Sequence, residues 1–593
     1  MGAFKILLLW VAFWSWGVNH VWAQVAMEPA SRADKKRSPL LLIQKANPKP
    51  AIFLTSEAKP TLPLAIAPSD PVLSSSLDPA SGTAVSPLAA AETSNFPQKI
   101  TVDRFEFVGN TALSSEVLTA IVESFTHRPL TFAQLLQAEA AVTQAYAKAG
   151  YINSGAVIPA NQTLSPDGAV VTIQVIEGGL EEINVSVEGR LSSDYVRDRL
   201  ALATKKPLNQ NRLLEALQLL QLNLLIQTIS AELAAGSRPE SSVLNVKVIE
   251  ANTFSLELLA DNARIPSVGS FRRGFRLSQA NVSGWGDSFS GEYYNTDGSN
   301  NFNLRYQIPL NSANGTITLS GGLTDSQIIE PPFNILNITG NSPYVEVSLR
   351  QPVIQTPTHE LALGITAAYQ ESSTQLLGFE FPLSPGANAQ GITQVSALRV
   401  FQEWTQRAPQ SVLALRSQFN FGLDVLEATV NPNPPDSRFF DWRGQGQYVQ
   451  LLAPDTLLLF RSELQFSNNP LLPLEQFALG GLYTVRGYRQ DLLLTDNGFF
   501  ASAELRLPIL RVDEGVLQLT PFIDFGVGWN HPDNPVPTPP YNTLLGMGLG
   551  LQWQIGNKFS ARFDWGIPIT GIQSGGNTWQ EQGLYFSVNY KLF

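Results

Sequence analysis

Phe302-Asn303-Leu304-Arg305-Tyr306-Gln307-Ile308 alternates strictly between apolar and polar residues. A β-strand turns successive side chains to opposite faces, so this stretch carries one apolar and one polar face. The pattern recurs. Val345, Val347 and Leu349 alternate with Glu346, Ser348 and Arg350. Phe499, Ala501, Ala503 and Leu505 alternate with Phe500, Ser502, Glu504 and Arg506, and Phe559, Ala561, Phe563 and Trp565 with Ser560, Arg562 and Asp564. Turn clusters such as Asn311-Ser312-Ala313-Asn314-Gly315 separate the strands. A soluble sandwich alternates too, but it would not set Arg and Glu regularly opposite a lipid-like face. The reading is a transmembrane antiparallel β-barrel over 252–593, with lipid outside and a wet interior. From Thr253 onward there are 341 residues. At roughly 21 residues per strand and connection they make about 16 strands, an even number.

Within that unit, Leu479-Gly480-Gly481-Leu482-Tyr483-Thr484-Val485-Arg486-Gly487-Tyr488 sets one arginine among three glycines. Glycine lets a backbone take positive φ or pass close to a neighbour. Such a turn can aim Arg486 into a cavity. Phe522-Ile523-Asp524-Phe525-Gly526 sets one carboxylate in an apolar, glycine-punctuated strand. An unpaired buried charge is expensive, so Arg486 and Asp524 are expected to pair inside the barrel. The other reading is a surface turn and an unrelated strand aspartate.

Composition removes several function classes. Cysteine is absent, so there is no disulfide framework and no thiolate chemistry. The four histidines, His20, His127, His359 and His531, lack metal-ligand spacing. No nucleophile–base pair or phosphate loop appears, so neither an enzyme nor a cofactor or metal is expected. A net charge of −11 argues against nucleic acid. Mean hydropathy is −0.00, unlike a helical membrane protein.

Residues 1–23 read as a secretory signal peptide. Lys5 is the positive start, Ile6 to Val18 the apolar run and Val21-Trp22-Ala23 the cleavage site. Its alternative, a membrane anchor, needs an apolar run of about 18 residues. Residues 24–97, rich in Pro, Ala and Ser, read as a flexible linker. One patch, 33–46, is basic and then apolar, and is a short docking element or part of the tether.

The texture changes at Ile100. Phe105 and Phe107 alternate with polar residues. Helices follow at Ser114–Phe125 and, from an N-cap at Thr131, to Ala149. Strands follow at Asn153–Ile158 and Ala169–Ile176. The order β-α-α-β-β then repeats, with a leucine stripe at Leu213, Leu217, Leu220 and Leu224. Two tandem α+β modules are expected, 98–178 and 179–251.

This organisation resembles the two-partner secretion transporters, the TpsB or ShlB/FhaC/HecB type of haemolysin secretion/activation proteins in the POTRA-barrel superfamily. The modules resemble POTRA domains: Phe105-Glu106-Phe107-Val108-Gly109-Asn110-Thr111, Ala147-Lys148-Ala149-Gly150-Tyr151 and Val157-Ile158-Pro159 carry the likeness. Leu474-Glu475-Gln476-Phe477 through Val485-Arg486-Gly487-Tyr488 is similar to the family's pore-loop motif. Asp496-Asn497-Gly498 and Glu504-Leu505-Arg506-Leu507-Pro508 follow in its order. Phe522, Asp524 and Gly526 match its barrel-wall motif. The resemblance implies an outer-membrane pore that captures an unfolded, TpsA-like exoprotein in the periplasm and passes it outward, without a cofactor. It implies a loop folded into the lumen, held by a solvated pair of modest energy, and a pore plug, for which 33–46 is the candidate. It also implies insertion by the barrel assembly machinery into outer-membrane lipid, with Phe593 as a terminal aromatic signal. Phe593 is one residue out of phase with Leu584, Phe586, Val588, Tyr590 and Leu592. The alternative is a general assembly or import pore of the BamA/Toc type, which shares the loop motif.

Overall fold

The computed structural model describes residues 41–43, 52–54, 99–160, 162, 168–512, 514–571 and 576–593. The expected signal peptide and most of the linker lie outside them, as does the candidate plug 33–46 except for Leu41–Ile43. Of that linker, Leu41–Ile43 runs parallel to Ile226–Ala235, and Ile52–Leu54 pairs antiparallel with Leu41–Ile43.

The first module is a sheet with two helices on one face. Ile100–Val108 runs parallel to Ala169–Ile176, which pairs antiparallel with Gly155–Val157. Thr131 starts the helix Phe132–Lys148 with a reciprocal cap: its hydroxyl accepts from the Gln134 amide, and the Gln134 side chain accepts from the Thr131 amide. Leu135, Ala138, Val142 and Tyr146 lie on one stripe of that helix and are buried against Phe105, Val171 and Ile173. The strand expected over Asn153–Ile158 is shorter, Gly155–Val157. Among the described residues it is a sheet edge with a strand partner on one side only.

The second module repeats the order. Gly179–Glu188 runs parallel to Ser241–Glu250, which pairs antiparallel with Ile226–Ala235. Leu213, Leu217 and Leu220 of the helix Gln210–Gln221 enter its core. Leu224, expected on the same stripe, lies beyond the helix end and is exposed, because the chain turns there towards Ile226–Ala235. The modules are joined tightly. The Asn209 side chain caps this helix and donates to the Ala149 carbonyl at 3.0 Å, and the Gln210 amide donates to Gly150 at 2.8 Å.

Sixteen antiparallel strands then close a barrel. The last strand, Leu584–Lys591, pairs with the first, Phe254–Asp261, from Glu257 opposite Lys591 to Asp261 opposite Ser587. The alternating residues divide as the pleat requires. Phe302, Val345, Phe563 and Trp565 are exposed on the outer face, while Glu504 and Asp564 are buried inside.

The second module docks on two turns at one end of the barrel. The Ser192 amide donates to Gly284 at 2.8 Å, and Arg199 stacks on Tyr195 and donates to Asn314 Oδ1 at 2.8 Å.

Candidate functional site

A long connection leaves the barrel after Thr456–Ser467 and returns to it at Asn497–Val512. It folds inward. Two short strands, Phe477–Leu479 and Leu493–Thr495, zip its limbs together antiparallel. Between them the chain reverses. Gly487 takes φ +102°, where a Cβ would also sit 2.9 Å from the Pro568 nitrogen. The reversal therefore requires glycine at that position. Phe477, Leu479, Val485, Tyr488 and Leu493 pack with Phe500 and Leu544 of the wall as one apolar cluster. That burial pins the connection against the inner wall.

The guanidinium of Arg486 then meets Asp524 in a bidentate pair. Nε donates to Oδ2 at 2.7 Å and Nη2 to Oδ1 at 2.9 Å. The Arg486 amide adds a third bond to Oδ2 at 3.1 Å. The plane lies over the Phe522 ring, 3.4 Å from its centre. Gly526, the last member of the wall motif, leaves room for the loop: a Cβ there would lie 2.8 Å from Val485 Cγ2. Gly546 on the next strand matters more, since a Cβ there would sit 2.0 Å from the Arg486 carbonyl oxygen.

The expectation of a solvated, modest pair is corrected by burial. Arg486 is 1% exposed and Asp524 0%. The apolar cluster and the loop backbone exclude water from the contact. Removing one partner of such a pair strands the other, at a cost of about 3–5 kcal/mol.

The site also holds residues that the sequence reading did not place beside Arg486. Arg486 Nη1 donates to Glu504 Oε2 at 2.9 Å and lies 3.7 Å from Asp564 Oδ1. Arg562 bridges these carboxylates, 2.6 Å from Glu504 and 2.5 Å from Asp564, and Arg506 donates to Glu504 at 2.9 Å. Ser502 donates to Asp524 Oδ1 at 2.6 Å. Tyr585 Oη accepts from the Gly487 amide at 2.9 Å and donates to the Tyr488 carbonyl at 2.6 Å. Tyr488 Oη in turn donates to the Leu545 carbonyl at 2.8 Å. Arg489 pairs with Glu330 and Glu581 on two further connections at the same barrel end. Ser502, Glu504, Arg506, Arg562, Asp564 and Tyr585 were present as the polar members of alternating strands, but alternation does not say which strands meet.

Phe593 lies apart from this site. It follows the end of the last strand, is exposed, and its ring lies 6.0 Å from that of Phe254.

The model of the haemolysin secretion/activation protein ShlB/FhaC/HecB family matches residues 240–553, and that of the ShlB-type POTRA domain matches 100–178. The heme/hemopexin transporter protein HuxB of Haemophilus influenzae is 21% identical over 427 residues, 71% of this chain and 74% of that protein. The outer membrane transporter CdiB of Dickeya dadantii is 22% identical over 470 residues, 76% of this chain and 81% of that one. Among solved structures, CdiB from Escherichia coli superposes with a TM-score of 0.66 at 21% identity, over 85% of this chain and 93% of the other. BamA from Haemophilus ducreyi lacking POTRA domains 1-3 gives 0.50 at 15% identity, over 83% and 100%.

Proposed function

We infer the function from one premise: the chain belongs to the haemolysin secretion/activation family ShlB/FhaC/HecB. It is a two-partner secretion transporter of the outer membrane, with its POTRA modules in the periplasm. How it works follows from one feature of the chain. Two sheet modules lead directly into a closed barrel whose interior is crossed by a loop pinned at Arg486.

The passenger is a TpsA-like exoprotein that arrives unfolded. Unfolded chains expose backbone donors and acceptors, and sheet edges bind these by strand addition with little demand on sequence. The modules therefore capture the passenger and deliver it to the barrel end on which the second module is docked. The buried Arg486 pair holds the loop across the path. Passage requires that the tip leave Asp524, and the lock reforms afterwards. Residues 1–23 direct export, and 24–97 link the candidate plug element 33–46 to the first module. Phe593 serves the barrel assembly machinery during insertion into outer-membrane lipid.

Removing residues 98–178 tests the division of labour. The truncated protein is expected to assemble and conduct ions in planar bilayers, while passenger capture and export are lost. Export at the full-length level would overturn the assignment of capture to the modules.

A further inference from the structure

The loop that carries Arg486 is held at a second place. Glu475 lies at its start, in the one-turn segment Pro473–Glu475, and is 0% exposed. Arg399 grips its carboxylate with Nη2 at 2.8 Å from Oε1 and Nη1 at 3.4 Å from Oε2. Arg443 Nη2 donates to the Glu475 carbonyl at 2.8 Å and lies 3.7 Å from Oε2. Gln370 Nε2 donates to Oε1. These partners come from three wall strands, His359–Leu376, Ile392–Arg407 and Phe440–Ala453. None of them contributes to the Arg486 site, which is built on strands from Asn497 to Lys591.

The outgoing and returning limbs are sewn together at the same place. Gln465 Nε2 donates to both the Glu475 carbonyl, at 3.0 Å, and the Asp496 carbonyl, at 2.9 Å. Asp496 Oδ1 accepts from the Leu471 amide at 2.9 Å and from Gln476 at 3.1 Å. Its Oδ2 accepts from the His531 amide and from Asn534, each at 2.8 Å. A buried carboxylate with two guanidiniums and both limbs of a loop in one network is difficult to open piecemeal, because each removed partner leaves a buried charge behind.

We propose that Glu475, held by Arg399 and Arg443, is the fixed root of the loop, about which the Arg486 tip swings when the passenger passes. Glu475 is a positioning residue: it acts through the loop and does not touch the path itself. The proposal rests on the gating reading above and adds the hinge to it. It makes release local. The tip leaves Asp524 while the hairpin base stays on the wall, so the lock can reform without searching for its register.

The absence of cysteine makes the test direct, since introduced thiols are the only ones present. Spin labels are placed at Thr484, near the tip, or at Leu494, on the returning limb. Each is measured by pulsed electron paramagnetic resonance against a label at Lys558, in a turn on the module side. In the otherwise unaltered chain both distances are expected to be narrowly distributed. Arg486→Ala is expected to broaden the Thr484 distance and leave that of Leu494 narrow. Glu475→Ala is expected to broaden the Leu494 distance and to lower export. If Arg486→Ala alone displaces both labels, or if Glu475→Ala displaces neither, the root is overturned. Should Glu475→Ala fail to assemble, as read by heat-modifiability on gels, Arg399→Lys keeps the charge and loses the fork. It is expected to broaden Leu494 to a smaller degree, and an unchanged distance would overturn the root. Displacements as expected together with unaltered export would support the root and overturn the gate.

Discussion

Arg486 has more carboxylates around it than one aspartate. Glu504 and Asp564 also face its guanidinium, and Arg562 and Arg506 balance them. This decides how variants behave. Arg486→Ala is expected to leave the barrel assembled but to weaken docking of the tip by about 3–5 kcal/mol, the cost of stranding a buried charge. Export should fall, measured as passenger in the medium per assembled barrel; export equal to the unaltered protein would exclude a mechanical role for the tip. Read from sequence as an isolated pair, Arg486→Asp combined with Asp524→Arg should recover export. In the folded network it should not, because the new aspartate would face Glu504 and Asp564 as well. Recovery in that double variant would show that the pair acts independently of its neighbours. The pair itself was legible, since an arginine between Val485 and Gly487 and an aspartate between Ile523 and Phe525 each lack a local partner. Glu504, Asp564 and Tyr585 were not legible as members. They are ordinary polar positions of alternating strands, and only barrel closure brings them to one spot. The burial of the pair was equally hidden, since it comes from the loop covering its own contact.

At the scale of elements, the first module shows how an edge and a joint are secured. The outward amides of Ala156 and Ile158, on its free edge, are already taken. Thr143 Oγ1 accepts from the first at 2.9 Å and Glu139 Oε2 from the second at 3.1 Å. An open edge invites unwanted pairing, and side-chain caps of this kind close it. A passenger strand that adds there must displace both. The combined variant Thr143→Ala with Glu139→Ala is expected to retain passenger on the modules more tightly in cross-linking assays. Unchanged retention would place capture on another edge. Beside this edge, Glu177 follows the strand Ala169–Ile176 and binds back into the module. Its carboxylate accepts from the Thr111 hydroxyl at 2.5 Å, from the Thr111 and Ala112 amides at 2.7 Å and from Tyr146 Oη at 2.9 Å. Burial opposes its ionisation, but these bonds outweigh burial and hold its carboxyl below the ordinary value. Burial first, and then Glu177, pushes the Tyr146 hydroxyl up. A depressed folded value means that the unfolded chain binds more protons in the acid range. The stabilisation from Glu177 is full above its unfolded value and is lost as pH falls through the folded one. Hydrogen exchange of 100–178 in the whole protein, taken relative to the intrinsic rate at each pH, should therefore rise on acidification below the ordinary glutamate range. Glu177→Gln should flatten that rise, and an unchanged acid limb would assign it to other groups. The helices of both modules were legible from their apolar stripes and caps. The length of Gly155–Val157 was not, because an edge strand ends where its one partner stops pairing.

On the scale of the whole molecule, the proposed capture, delivery and gating are arranged in series along one chain. Asn209 ties the two modules, and Ser192 and Arg199 dock the second on the barrel. The modules that carry the proposed capture are thus joined to the turns at the barrel end by direct contacts rather than by a slack linker. The likeness to both CdiB and BamA structures shows a shared barrel plan. The plan alone does not separate a dedicated exporter from a general assembly pore, and family membership does. The measurement that tests the central claim most directly is deletion of this protein followed by quantitative proteomics of the medium and of the outer membrane. Loss of one or a few large secreted proteins is expected, with other barrel proteins unchanged. A broad fall in barrel proteins across the outer membrane, with the secreted proteins otherwise retained, would contradict it.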